Sequence, residues 1–128
     1  LDTGNKEVRW VRAGHDPAIF YDPAKGEFKE LNGYGMALGV DGKFEYRENI
    51  LTDLTMGQVL LIGTDGLWET QSQSGEMFGR DRINSLIKQH ANASPDKILE
   101  AIISALKGYQ GLMKQEDDIT LAVIKISE

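Results

Sequence analysis

Two apolar stretches of this chain end in carboxylates. Val59-Leu60-Leu61-Ile62 runs through Gly63-Thr64 into Asp65-Gly66, and further along Glu116-Asp117-Asp118 leads into Ile119-Thr120-Leu121-Ala122-Val123-Ile124. A carboxylate at the tip of a buried strand is costly unless something pairs with it. Two such tips side by side repel, and a cation between them is the natural compensation. Oxygen donors favour a hard ion, Mg²⁺ or Mn²⁺, and so metal-assisted phosphate chemistry. Each acid also has a plainer reading. Asp65 fits a turn aspartate closing a strand, and an acidic triplet fits a solvated loop. The sequence does not give strand direction, so the two tips are equally compatible with opposite ends of a sheet.

A third unusual site is Ala13-Gly14-His15-Asp16-Pro17. His15 suits a general acid, a phosphate donor or a partner of a metal-bound water. It equally suits a structural histidine in a proline turn. His90 reads as a surface residue near a helix C-terminus, where the dipole favours it. The arginines of Phe78-Gly79-Arg80-Asp81-Arg82 offer contacts to a phosphorylated partner or ion pairs with neighbouring acids. The cluster Gly33-Tyr34-Gly35-Met36-Ala37-Leu38-Gly39 lacks the G-x-G-x-x-G spacing, and no Gly-Lys-Ser/Thr follows it, so a nucleotide loop is not supported. No G-x-S-x-G elbow occurs.

The elements that must position these residues are legible in the hydrophobic pattern. Strands are expected near 7–13, 17–22, 27–31, 36–40, 44–50, 58–64 and 118–126. Val59–Ile62 is continuously apolar and reads as a central strand covered on both faces, and Ile119–Ile126 is apolar on both faces too. The turns at Lys25-Gly26 and Asp41-Gly42 read as hairpin connections. Ile83, Leu86, Ile87 and His90 recur at helical spacing, predicting a helix over 80–91. A second helix opens at Ser94 as N-cap with Pro95 in its first turn and Asp96 at the positive dipole end. Its buried stripe is Ile98, Leu99, Ile102, Ile103 and Leu106, and Gly108 and Gly111 are expected to break it. Many strands, two helices and a final strand make an α+β order with a largely antiparallel sheet.

The chain has 128 residues and a formal net charge of −6. One domain is the most this length accommodates. The negative charge argues against nucleic acid or an anionic membrane as partner. No apolar run reaches bilayer-spanning length. Zero cysteines exclude disulfides, zinc-thiolate sites and thiol nucleophiles, which fits a cytoplasmic protein. Asp2-Thr3-Gly4-Asn5 is a strong turn signal with only Leu1 before it, so the chain is expected to be the C-terminal part of a larger domain.

The ordered blocks AGHDP, ALGV, VLLIGTDGLWE, GEMFGRDRI and EDDITLAVIKI resemble the metal-dependent (PPM-type) serine/threonine protein phosphatases. Within them the resemblance is to the bacterial branch typified by sporulation protein IIE and the phosphatases that activate stress sigma factors. It covers almost the whole chain. It implies an antiparallel β-sandwich with flanking helices, incomplete at its N-terminal side. It implies removal of phosphate from phosphoserine or phosphothreonine, often on a STAS-type anti-anti-sigma protein, with two Mn²⁺ or Mg²⁺ ions and a bridging water as nucleophile. Carried over by motif, Asp65 and Asp117 are metal ligands, Asp118 and Gly66 belong to the same metal site, with Asp118 supporting it, and His15 is a candidate catalytic residue close to the metal centre. The family's other metal-binding motif, an aspartate followed by a glycine-rich segment, has no counterpart in the 128 residues. These residues alone are therefore expected to bind metal poorly and to be nearly inactive. The competing expectation is a non-catalytic, partner-binding module of the same fold, using the helix at Arg80–Arg82 and the loop at 66–78. An incomplete sheet also leaves a strand edge open to self-association.

Overall fold

A computed structural model describes residues 1–112 and 117–127. Its strands are β1 (Val8–Val11), β2 (Ala18–Asp22), β3 (Glu27–Leu31), β4 (Glu48–Leu51), β5 (Val59–Gly63) and β6 (Leu121–Lys125). Between β5 and β6 come α1 (Gly66–Glu69), α2 (Gly79–His90) and α3 (Pro95–Gln110). Among the described residues the strands form two antiparallel sheets: one of four strands ordered β3-β2-β5-β6, and one of two, β1-β4.

Alternation along the strands divides the core in two. Ile19, Tyr21, Val59 and Leu61 point from the four-stranded sheet toward the helices, where they meet Leu67, Ile83, Ile87, Ile98, Ile102 and Leu106. Ile83, Ile87, Ile98 and Ile102 are fully buried, each worth about 1.5–3 kcal/mol of apolar burial. Phe20 and Leu60 point to the opposite face and pack with Val8, Leu31 and Leu54. The layers are thus helices, four-stranded sheet and two-stranded sheet, the α+β sandwich with flanking helices that the sequence predicts.

Several expectations are corrected. No strand forms over 36–40, and the strand expected over 44–50 is confined to β4. The intervening loop is stabilised by side chains instead: Tyr34 stacks on Phe44, Phe44 meets Tyr46 edge-on, and Arg47 lies over Tyr34. Asp41-Gly42 makes a turn closed by the Phe44 N–H donating to the Asp41 carbonyl, but it joins no strand pair. β1 and β2 belong to different sheets, and Ala13–Pro17 is the crossing between them. β6 is an edge strand, half-buried rather than covered on both faces, and Ile62 of β5 is 40% exposed. Gly108 does not break α3, which continues to Gln110. Ser94 has the extended backbone of an N-cap without a side-chain cap bond, its carbonyl accepting from the Lys97 and Ile98 N–H groups. α1 is too short to leave a periodic signal.

The turn at Asp2–Asn5 forms as expected, with Asp2 and Glu7 exchanging backbone hydrogen bonds of 2.8 and 3.0 Å. The Lys25-Gly26 hairpin joins β2 to β3, the Gly26 N–H donating to the Asp22 carbonyl at 2.8 Å.

Candidate metal and phosphate site

The antiparallel register of β5 and β6 pairs Gly63 with Leu121. The end of one strand therefore meets the start of the other, and the two acidic tips lie at the same edge of the sheet. Thr64 fastens them. Its N–H donates to the Thr120 carbonyl at 3.0 Å, and its hydroxyl donates to the Asp118 carbonyl at 3.1 Å. The same hydroxyl oxygen accepts from the Thr120 N–H at 3.1 Å.

Gly66 makes the approach possible. A Cβ there would stand 2.8 Å from the Asp118 carbonyl oxygen and 3.5 Å from the Asp117 Cβ. Asp65 caps α1, its Oδ1 accepting from the Gly66 N–H at 3.0 Å. Asp117 Oδ1 accepts from the Asp118 N–H at 2.8 Å. A backbone N–H thus helps to fix the orientation of each of these two carboxylates. The Gly66 carbonyl accepts from the Thr70 hydroxyl at 2.7 Å.

Asp65, Asp117 and Asp118 are all exposed. Burial therefore does not by itself demand a counter-ion here, and the cost argument made from the sequence does not apply to these residues. Among the described residues no three His, Cys, Asp or Glu side chains come together as a group able to hold a metal. Glu116, the first acid of the triplet, lies outside the described residues. The donors present are of the right kind for Mn²⁺ or Mg²⁺, oxygen only and open to solvent, and they fit one side of a coordination shell.

His15 is exposed on the crossing between the sheets. Its Nδ1 lies 2.9 Å from the Asp16 carbonyl oxygen. A carbonyl only accepts, so Nδ1 carries the proton and Nε2 is the acceptor of the neutral ring. The backbone here is set by Gly14 (φ +100°), where a Cβ would stand 2.8 Å from Ala37 Cα. A cavity of about 280 Å³ lies beside this crossing, lined by Trp10, Arg12, His15, Ile62 and Ile124 among others, but not by Asp65, Asp117 or Asp118.

Both arginines named from the sequence are paired within the chain. Arg80 contacts Asp16 at 3.1 Å and Glu30 at 3.3 Å. Arg82 contacts Glu76 at 2.7 Å, donates to the Phe78 carbonyl at 2.8 Å and lies over Tyr109. The hydrogen bond from Arg82 to Glu76 raises the guanidinium pKa further above its ordinary value. The role of Thr64 was not anticipated, although it stands in the same TDG segment that drew attention to Asp65.

The chain is similar to several known phosphatases. The phosphoserine phosphatase RsbU of Bacillus subtilis (strain 168) is 26% identical over 119 residues, covering 93% of this chain and 35% of RsbU. The SiaA-PP2C domain of Pseudomonas aeruginosa superposes with a TM-score of 0.79 at 26% identity, covering 96% of this chain and 48% of that one. The phosphatase domain of SpoIIE from Bacillus subtilis shares the fold at lower identity. Its structure with a fragment of the regulatory domain gives a TM-score of 0.76 at 16% identity, with 95% of this chain and 34% of that one covered. Its Mn-presoaked form gives 0.71 at 15% identity, with 98% and 53% covered. The chain thus spans about a third of the length of RsbU and about half of the SiaA-PP2C chain. The model of the Stage II sporulation protein E (SpoIIE) family matches residues 1–127, and the chain belongs to that family.

Proposed function

We propose that this chain forms part of a metal-dependent serine/threonine protein phosphatase acting on a phosphorylated regulatory protein of the STAS type. The observation that carries the reading is that Asp65 and Asp117 lie at the same end of the sheet, with Gly66 admitting the Asp118 carbonyl and the Asp117 side chain close to the Asp65 turn. Asp65 and Asp117 would hold Mn²⁺ or Mg²⁺, and Asp118 would keep the second tip in place. The remaining ligands would come from elsewhere in the protein, since the described residues bring no third acid, histidine or cysteine to the two tips. When bound, the metal supplies Lewis-acid neutralisation of the phosphoryl oxygens and an activated water. The chain's own residues orient the carboxylates through the Gly66 and Asp118 N–H groups and fix the spacing of the tips through Thr64. His15, with Nε2 unprotonated in the neutral ring, is suited to accept a proton or a hydrogen bond near the substrate phosphate.

The experiment is Mn²⁺-dependent hydrolysis of p-nitrophenyl phosphate and of a phosphoserine STAS protein by the intact protein. Wild type is active, Asp65→Asn and Asp117→Asn lose Mn²⁺-dependent turnover, and the 128-residue chain alone is nearly inactive. Unchanged turnover in Asp65→Asn would overturn the ligand assignment. A second reading, a non-catalytic partner-binding module, draws on the lack of a three-acid group among the described residues. An intact protein that binds no Mn²⁺ would favour it.

A further inference from the structure

We infer that Arg80 is a positioning residue that locks the crossing Ala13–Pro17 to the Asp65 turn, so that metal affinity at the acidic tips depends on it. The inference rests on the phosphatase reading and adds to it a residue that touches neither acid. Arg80 stands in the first turn of α2. A cation is unfavourable there, because the helix dipole presents its positive end. Helix stability therefore does not explain the residue, and its partners do. Nη2 donates to Asp16 Oδ2 at 3.1 Å, and Nη1 reaches the Pro17 carbonyl at 3.5 Å, both on the crossing that carries His15. Nη1 also meets Glu30 Oε1 of β3 at 3.3 Å. The guanidinium lies over the Trp68 ring, with Cζ 3.8 Å from the centroid. Trp68 in turn donates its backbone N–H to the Asp65 carbonyl at 3.0 Å.

One three-quarters-buried side chain thus joins the His15 crossing, a strand and the helix that Asp65 caps. Only a planar guanidinium stacks on an indole while its edge donates to carboxylates, and a lysine ammonium does not do both. If Arg80 is shortened or made flexible, Trp68 and α1 lose their outer support, and the Asp65 turn is free to shift against Thr64 and Asp118.

The test is calorimetric Mn²⁺ titration of the metal-free intact protein, with amide exchange of segments 13–17 and 65–68. Arg80→Lys, which keeps the charge, is expected to weaken Mn²⁺ binding by about 10-fold or more and to speed exchange in both segments. Asp16→Asn, on the exposed crossing, should weaken binding in the same direction if Arg80→Lys fails to fold. Glu30→Gln cuts only the arm to β3 and should leave Mn²⁺ affinity unchanged. Unaltered affinity in both Arg80→Lys and Asp16→Asn overturns the inference, as does an equal loss in Glu30→Gln, which would mark a general loss of stability. A wild-type protein that binds no Mn²⁺ removes the phosphatase reading itself, an outcome distinct from a wild type that binds while the variants match it.

Discussion

Thr64 and Thr120 exchange two hydrogen bonds just beyond the last β5–β6 pair. The Thr64 N–H donates to the Thr120 carbonyl at 3.0 Å, and the Thr120 N–H donates to the Thr64 hydroxyl oxygen at 3.1 Å. The strand pairing is thereby extended to the acidic tips by a side chain. Thr64→Val keeps the shape and removes both the acceptor for Thr120 and the donor to Asp118. It is expected to cost about 1–3 kcal/mol in urea denaturation, the penalty for stranded backbone groups, reduced to the extent that water reaches them. It should also weaken Mn²⁺ binding by the intact protein, whereas Thr64→Ser should retain both properties. Equal behaviour of the valine and serine variants would show that the hydroxyl is dispensable.

Gly66 and Gly108 should respond oppositely to alanine. At Gly66 the new Cβ would stand 2.8 Å from a backbone oxygen, which cannot rotate away as a side chain would. The expected loss is about 1–3 kcal/mol from overpacking, with reduced Mn²⁺-dependent activity as the tips separate. At Gly108, inside α3 and facing open space, alanine should stabilise by about 0.8–1 kcal/mol through helix propensity. Thermal or urea denaturation reads both, and a stable, fully active Gly66→Ala would refute the close-approach argument.

Acid sensitivity should trace in part to Asp22, which lies far from the acidic tips at the end of β2. Burial pushes this carboxyl's pKa up. The Gln58 side chain at 3.0 Å, the Lys25 and Ala24 N–H groups and the Lys25 charge more than offset that, so it sits below the ordinary value. A folded pKa below the unfolded one contributes stability above the usual carboxylate value of about 3.9, and that stability is lost as pH falls through the lower folded value. Asp22→Asn should therefore be less stable than wild type at pH 7, with the gap narrowing as pH drops below about 4. Asp2, held low chiefly by the Asn5 N–H, keeps part of the wild-type acid dependence in the variant. A gap that stays constant across urea midpoints from neutral to acid pH would rule out Asp22 as the source.

Much of this was legible in the residue pattern, for reasons that differ by element. α2 and α3 were readable because their isoleucines repeat at helical spacing, and β5 because it is an unbroken apolar run. The segment 36–40 misled because alternation of small and apolar residues resembles a strand, while an aromatic cluster around Tyr34 and Phe44 holds the loop without a ladder. The pairing of Asp65 with Asp117 was a guess about direction. That the two tips lie at the same end of the sheet follows only from the antiparallel register of β5 and β6, which no local signal encodes. The exposure of the carboxylates was unreadable for a similar reason: strand ends are buried or open according to what packs beyond them.

The Thr64–Thr120 link has a consequence for how the chain is made. It joins residues 56 apart in sequence, with all three helices in between. On the ribosome, the β5 edge and the Asp65 turn emerge well before their partner strand is synthesised, and closing so long a loop is slow. Until β6 arrives, the nascent chain presents an apolar strand with unsatisfied edge groups, a target for chaperones and for wrong pairings. The acidic site is thus among the last features to form during biosynthesis, so premature termination before Asp117 yields a chain with the Asp65 turn and no second tip.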